Sequence, residues 1–180
     1  SLNFYPKISQ SYVKSYIKDN YKKTNKELKI ITFFSSPFFD KNSQIKRTQL
    51  LKELKKLSEL KGFIFRIRYH NFEKGKRSKE KKYLKKNRIE VSKNTFFKDL
   101  LESDVIFGIN TTVLYEAYLI GKKNVYQIEW PNVSSYYDEI KKIKIEEIKK
   151  LNFTINDTFE INIDKLVNPE KVRKLFSDWI

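Results

Sequence analysis

Thr111, Thr112 and Glu116 are the side chains in this 180-residue chain whose types and spacing could do chemistry together. They follow the turn Gly108-Ile109-Asn110 and open a run in which Val113, Leu114, Ala117, Tyr118 and Ile120 recur at helical spacing as far as Gly121. A helix N-terminus carries unpaired backbone N–H groups and the positive end of the helix dipole, so two threonine hydroxyls added there make a seat for a phosphate. Glu116, four residues after Thr112, lies one turn further along the same face. Its carboxylate can accept hydrogen bonds from the two vicinal hydroxyls of a ribose while the helix start holds the attached phosphate. The same residues also fit a plainer role, a threonine cap and a solvated glutamate.

Two further positions belong to this chemistry. His70, the only histidine, falls just past an apolar run, Phe63 to Arg68, whose alternating pattern is that of a strand, and it follows Arg66 and Arg68. An imidazole donates to a phosphate or stabilises a leaving nucleotide, and its charge is adjustable near neutral pH. Ser35 and Ser36 end the first apolar run, LKIITFF from Leu28 to Phe34, just before Pro37. In a doubly wound sheet the loops at the carboxyl ends of the strands form the ligand crevice, and both serines lie on that side. Lone histidines are often structural and serines before proline are often turn residues, so each has an ordinary alternative.

The stretch SDVIFGINTTVLYEAYLIGKKNVYQI, residues 103–128, resembles the donor-side signature of GT-B glycosyltransferases of bacterial capsule, lipopolysaccharide and teichoic-acid synthesis. The resemblance implies that Thr111 and Thr112 touch the donor phosphate and Glu116 the ribose. RYHN, ending in His70-Asn71, is similar to the Arg/Lys-x-His-Pro element whose histidine binds the donor phosphate in those enzymes, with Asn in place of Pro. Ser35 and Ser36 fall at the loop that often meets that phosphate. The pattern Phe-x-x-Leu-Leu-x-Ser-Asp, here Phe97 to Asp104, is similar to the one before the donor-binding strand in those enzymes, and implies that the preceding loop, Ser92, Lys93 and Asn94, borders the nucleobase. The donor implied is a CMP-, CDP- or UDP-linked sugar, with no separate cofactor. The resemblance covers about Leu28 to Pro131 and implies an N-terminal acceptor domain that supplies the catalytic base.

Composition bounds the reading. The chain fits one domain, small for a whole transferase of two such domains, and it contains no methionine, so we read it as a fragment. A formal charge of +16 could attract nucleotide donors, acidic polysaccharide, nucleic acid or an anionic membrane face. The Lys, Asn and Ile richness is equally a bias spread over the whole sequence. No cysteine means no disulfide framework. No apolar run is long enough to span a bilayer and no signal peptide is visible, so the expectation is a cytoplasmic domain with peripheral contact, at most, at the inner membrane face. Clusters with metal-ligand spacing are missing, and a metal-dependent site is not expected.

The elements that must position the site follow from periodicity. Residues 1–27 read as a linker and a packing helix from Ser11 to Tyr21, 28–131 as the donor-binding core and 132–180 as a helical extension. Ser43 to Leu60 is a helix with a stripe of Leu50, Leu51, Leu54, Leu57 and Leu60, stopped by Gly62. Glu73 to Asn87 is so densely basic that a mobile loop is expected. Arg88 to Val91 reads as a short strand and Ser92 to Glu102 as a helix capped by Asn94. Short helices are expected at Ser134 to Ile140 and Ile145 to Leu151, an extended piece at Thr158 to Ile163, and a final helix opened by Asn168-Pro169.

Together these give an α/β fold, a Rossmann-like doubly wound and mainly parallel sheet of about five strands in the order 3-2-1-4-5. The functional expectation is one half of a GT-B glycosyltransferase, or a glycerophosphotransferase-like enzyme, acting on a polysaccharide or lipid-linked acceptor. The alternatives are a nucleotide-sugar 2-epimerase-like enzyme, disfavoured by the single histidine, and a non-enzymatic basic domain that binds nucleic acid or an acidic polymer through the lysines of 74–87. No specific nucleic acid is expected, because the lysine run lacks interleaved aromatics.

Overall fold

The computed structural model describes residues 28–37, 41–73, 77–119, 121–130 and 138–151. The expected helices at Ser11 to Tyr21 and from Asn168, and the extended piece at Thr158 to Ile163, lie outside them. Six strands form one parallel sheet: β1 (Lys29–Phe34), β2 (Phe63–Arg68), β3 (Glu90–Val91), β4 (Val105–Gly108), β5 (Val125–Ile128) and β6 (Lys141–Ile143), in the order β3-β2-β1-β4-β5-β6. Four helices accompany them: α1 (Lys41–Ser58), α2 (Ser78–Lys86), α3 (Phe96–Glu102) and α4 (Thr112–Leu119). Short 3-10 turns occupy Asn71–Glu73 and Ile145–Lys150. The α/β doubly wound architecture and the relative order of the first five strands are those read from the sequence.

β1 is buried on both faces, because it pairs with β2 on one side and β4 on the other and is covered above and below. Its alternate residues feed two cores. Ile31 and Phe33 pack with Leu50, Leu51, Leu54 and Leu57 of α1, Leu84 of α2 and Ile148; Phe34 packs on the opposite face with Leu100 and Leu101 of α3 and Leu114, Tyr115 and Ala117 of α4. Helices before the crossover thus cover one face and helices after it cover the other, so the connections part between β1 and β4.

The sixth strand was not anticipated. Only Ile143 of β6 is buried while Lys141 and Lys142 are exposed, and a three-residue edge strand with one apolar residue carries too little periodicity to read. Of the helix expected at Ser134 to Ile140, residues 138–140 form a turn instead, and 131–137 lie outside the described residues. Two boundaries also shift. α1 stops at Ser58, which leaves Leu60 39% exposed rather than in the stripe, and Tyr118 is exposed beside Tyr115 instead of facing the core.

The basic run holds the main correction. Instead of a mobile loop, residues 77–87 contain α2, because three side chains of the run are consumed by a buried network and Leu84 is fully buried in the core. Arg88, at φ 57, takes the left-handed conformation that ends this helix. α3 begins at Phe96 and is capped by the Thr95 hydroxyl, which accepts from the Lys98 N–H at 3.3 Å; Asn94, expected as the cap, is engaged elsewhere.

Leu54 of α1 is fully buried between the helix and the sheet. Leu54→Ala should therefore lower the unfolding free energy by about 2–5 kcal/mol, read as a reduced urea midpoint with an unchanged m-value.

Candidate functional site

Parallel pairing puts the carboxyl ends of β1, β2 and β4 level. Phe34 pairs with both Arg68 and Gly108, so Ser35, Tyr69 and Ile109 leave the sheet side by side. In a doubly wound sheet the ligand crevice is expected between the loops after these two strands, where the connections leave opposite faces. Ser36 Oγ donates to the Asn110 carbonyl at 3.4 Å, joining the two loops across it. Ser35 is 4% exposed, and its hydroxyl oxygen has no hydrogen-bond partner among the described residues. A buried hydroxyl without a partner costs about 1–3 kcal/mol.

Across the crevice stands the N-terminus of α4. The Thr111 hydroxyl accepts from the Val113 N–H at 3.4 Å, so this threonine closes the first turn, while Thr112 is exposed at the first helical position. Glu116 is half-buried one turn on. Gly108 is required by contact: a Cβ there would lie 2.7 Å from Thr111 Cγ2 and 3.1 Å from Leu114 Cδ2. The strand end therefore has to be bare for the threonine to seat over it.

His70 is exposed one strand further along, past β2. Its Nδ1 accepts the Phe72 N–H at 3.3 Å, which leaves Nε2 as the N–H of the neutral ring and a donor in either charge state. The turn that carries it is anchored from below. Glu73, fully buried, accepts the His70 backbone N–H at 3.1 Å and is held by Arg77 at 3.1 Å and Arg47 at 3.5 Å. Arg47 also makes a two-pronged pair with Glu80, at 2.7 and 2.8 Å, and the Tyr69 hydroxyl donates to Glu80 at 2.9 Å. Burial alone would raise the Glu80 carboxyl, but the Arg47 hydrogen bonds and charge and the Tyr69 hydroxyl hold it below its ordinary value. Burial and the neighbouring Glu80 push the Tyr69 hydroxyl up, so it remains a donor.

A second network sits under β2 on the other face. Asp99 of α3, fully buried, accepts from Arg66 at 3.1 Å, Arg68 at 2.7 Å, Asn94 Nδ2 at 2.9 Å and the Ser92 hydroxyl. Ser92 and Asn94 thus fix the loop after β3 through their side chains, and Lys93 between them is exposed. These three residues line an open cleft of about 530 Å³ whose remaining walls are Arg68, Tyr69, Lys81, Lys85, Ile89 and Val91. Strand spacing separates β3 from β4 by three steps, about 14 Å. Strand order therefore sets the ends of β1 and β4, with Ser35, Ser36, Thr111 and Thr112, next to each other, His70 at the end of the neighbouring β2, and Ser92, Lys93 and Asn94 one strand further out after β3. Sequence reading missed Asp99, Glu73 and Arg47, each of which has at least one partner distant in the chain: Arg66 and Arg68 for Asp99, and Arg47 and Glu73 for each other.

Other residues of the 103–128 stretch hold the fold. Asp104 accepts the Ile30 N–H at 2.8 Å, and Lys122 donates to the carbonyls of Leu101 and Ser103 at 2.7 Å each. Among the described residues no group of three or more His, Cys, Asp or Glu side chains is placed to hold a metal ion, and no helix is long and apolar enough to cross a membrane.

Because the Glu80 carboxyl titrates lower folded than unfolded, its contribution to stability is complete above the ordinary value of 4.5 and is lost as pH falls through the depressed value. Urea midpoints measured from pH 7 down to pH 3 should fall less steeply for Glu80→Gln, whose midpoint at pH 7 is already lower. Gly108→Ala should cost about 1–3 kcal/mol through displacement of Thr111, measured by the same method. Compared with known proteins, the chain matches no protein-family model and no curated protein significantly.

Proposed function

We propose that the chain is the donor-binding domain of a glycosyltransferase, transferring a sugar from a nucleotide-activated donor to a bacterial surface polysaccharide. The observation that supports it best is the buried Ser35 hydroxyl, without a hydrogen-bond partner among the described residues, just past the carboxyl end of β1 and next to the end of β4, which leads into α4. A donor phosphate there meets the Ser35 and Ser36 hydroxyls on one side and Thr111, Thr112 and the positive end of the helix dipole on the other. Glu116, one turn along α4, accepts from the ribose hydroxyls. His70 Nε2–H reaches toward the phosphate from the neighbouring strand and supports negative charge as the nucleotide leaves.

The loop Ser92, Lys93 and Asn94, implied to border the nucleobase, follows β3, three strand positions from β4. Transfer itself needs an acceptor hydroxyl and a base to deprotonate it. In the resembling enzymes both come from the N-terminal domain, so nucleotide binding is the property expected of this chain alone.

Calorimetric titration with CMP, CDP, UDP and GDP tests the reading. One nucleotide is expected to bind saturably, with binding abolished by Glu116→Ala and weakened by His70→Ala. Ser35→Ala should weaken it about 2- to 13-fold, the worth of one neutral hydrogen bond, without lowering the urea midpoint. A Ser35→Ala variant that binds normally, or a chain that binds none of the four, refutes the assignment.

A further inference from the structure

The cleft at the β3 edge of the sheet has a composition unlike that of the crevice beside β1. Four of its lining residues are basic, Arg68, Lys81, Lys85 and Lys93, and none is acidic. Arg68 is neutralised by Asp99 from beneath. Lys85 and Lys93 are exposed and form no ion pair among the described residues, and Lys81 is placed with its ammonium 5.8 Å from the Tyr69 ring centroid. Lys81 and Lys85 stand four apart on α2, hence on one face of the helix, with Lys93 on the loop that forms the other wall. Three ammonium groups around one cleft repel one another, and an anion between them relieves that repulsion.

We infer that this cleft binds an acidic glycan chain, its sugar rings on the apolar floor and its carboxylate or phosphate groups between Lys81, Lys85 and Lys93. The part of the floor that a sugar ring can touch is the half-buried Val91, beside Ile89, which is packed into the core. A volume of about 530 Å³ holds a few sugar residues at most, and the cleft is open to solvent beside β3, the edge strand of the described sheet. Lys82 and Lys86, exposed on the same helix, extend the positive surface beyond the cleft. Single-stranded nucleic acid fits less well, because its sequence-tolerant affinity comes from bases stacking on open aromatic faces. The one aromatic ring in the lining, Tyr69, is 8% exposed and lies under Lys81.

Naming the ligand a glycan rests on the donor-domain reading, and gives that enzyme an acceptor of acidic character. The site is separate from the crevice that holds the nucleotide, so the two ideas fail separately.

The test uses fluorescence anisotropy of the full chain with four labelled probes: an oligogalacturonate for carboxylate, an oligomer of glycerol phosphate for phosphate, a neutral dextran oligomer of equal length, and oligo(dT) of equal charge. One or both acidic glycan probes should bind, dextran should not, and oligo(dT) should bind more weakly. Lys81→Glu/Lys85→Glu should weaken glycan binding about tenfold or more, while Lys123→Glu/Lys150→Glu, with the same change in charge at exposed sites elsewhere, changes it less than about twofold. Lys85→Glu alone, which leaves the Lys81–Tyr69 contact intact, keeps the test sound if the double variant folds poorly. Nucleotide affinity should be unaffected by the α2 changes. Acidic glycans that fail to bind, equal loss in both charge-reversed pairs, or tighter binding of oligo(dT) with the same dependence on Lys85 would overturn the inference. Saturable nucleotide binding without glycan binding sinks this site and leaves the donor reading; glycan binding without nucleotide binding does the reverse.

Discussion

Everything in this molecule hangs on β1 pairing in parallel with two neighbours at once. A strand hydrogen-bonded on both edges and covered on both faces has no solvent-facing side, so it must be apolar at every position that does not meet a matched polar partner. KIITFF meets that condition: Lys29, at its start, is paired with Asp104, and Thr32 accepts from the Ser103 hydroxyl at 2.6 Å across the sheet. Because the chain leaves β1 toward one face and reaches β4 from the other, the loops beyond the two strands must separate. The crevice is a consequence of the winding, and the residues that happen to end β1 and β4 become its walls.

A chain with 38 basic and 22 acidic residues must place its carboxylates where they are worth most. Three of them, Glu73, Glu80 and Asp99, are buried or nearly so, and between them they hold Arg47, Arg66, Arg68 and Arg77. The division of labour follows from the cations. Guanidinium groups present several donors in a fixed plane and are weakly hydrated, so they are the ones buried, whereas exposed lysines remain around the rim. The arginines thereby build the frame, and the surplus positive charge is left to lysines that make few contacts within the protein.

These two frames are coupled to the chemistry differently. The Glu73 network fixes the turn that carries His70, so the ring is exposed on a rigid support rather than on a wandering loop. The Asp99 network locks the loop after β3, which forms one wall of the basic cleft. At α4 no ion network is needed, because a bare Gly108 lets Thr111 and Leu114 settle directly on the strand end. Precision in the crevice comes from packing, and precision around it from charge.

The sequence by itself determined the α/β class, β1, β2, β4 and β5, the α1 stripe and the position of Thr111, Thr112 and Glu116 on a helix following a strand. Those are local facts, carried by periodicities of two and 3.6 and by glycines at the turns. Tertiary structure alone decided that Glu73 to Asn87 is partly helical: charge repulsion along the run argued for a loop, and the burial of Arg77 and Glu80 against Arg47 and Tyr69, from elsewhere in the chain, outweighed it. It alone decided that β6 joins the sheet, since an edge strand with one buried residue borrows its order from the neighbour it pairs with. It also set Ser92, Lys93 and Asn94 apart from Glu116, because a distance across a sheet depends on strand order, and strand order is not a property of any local stretch.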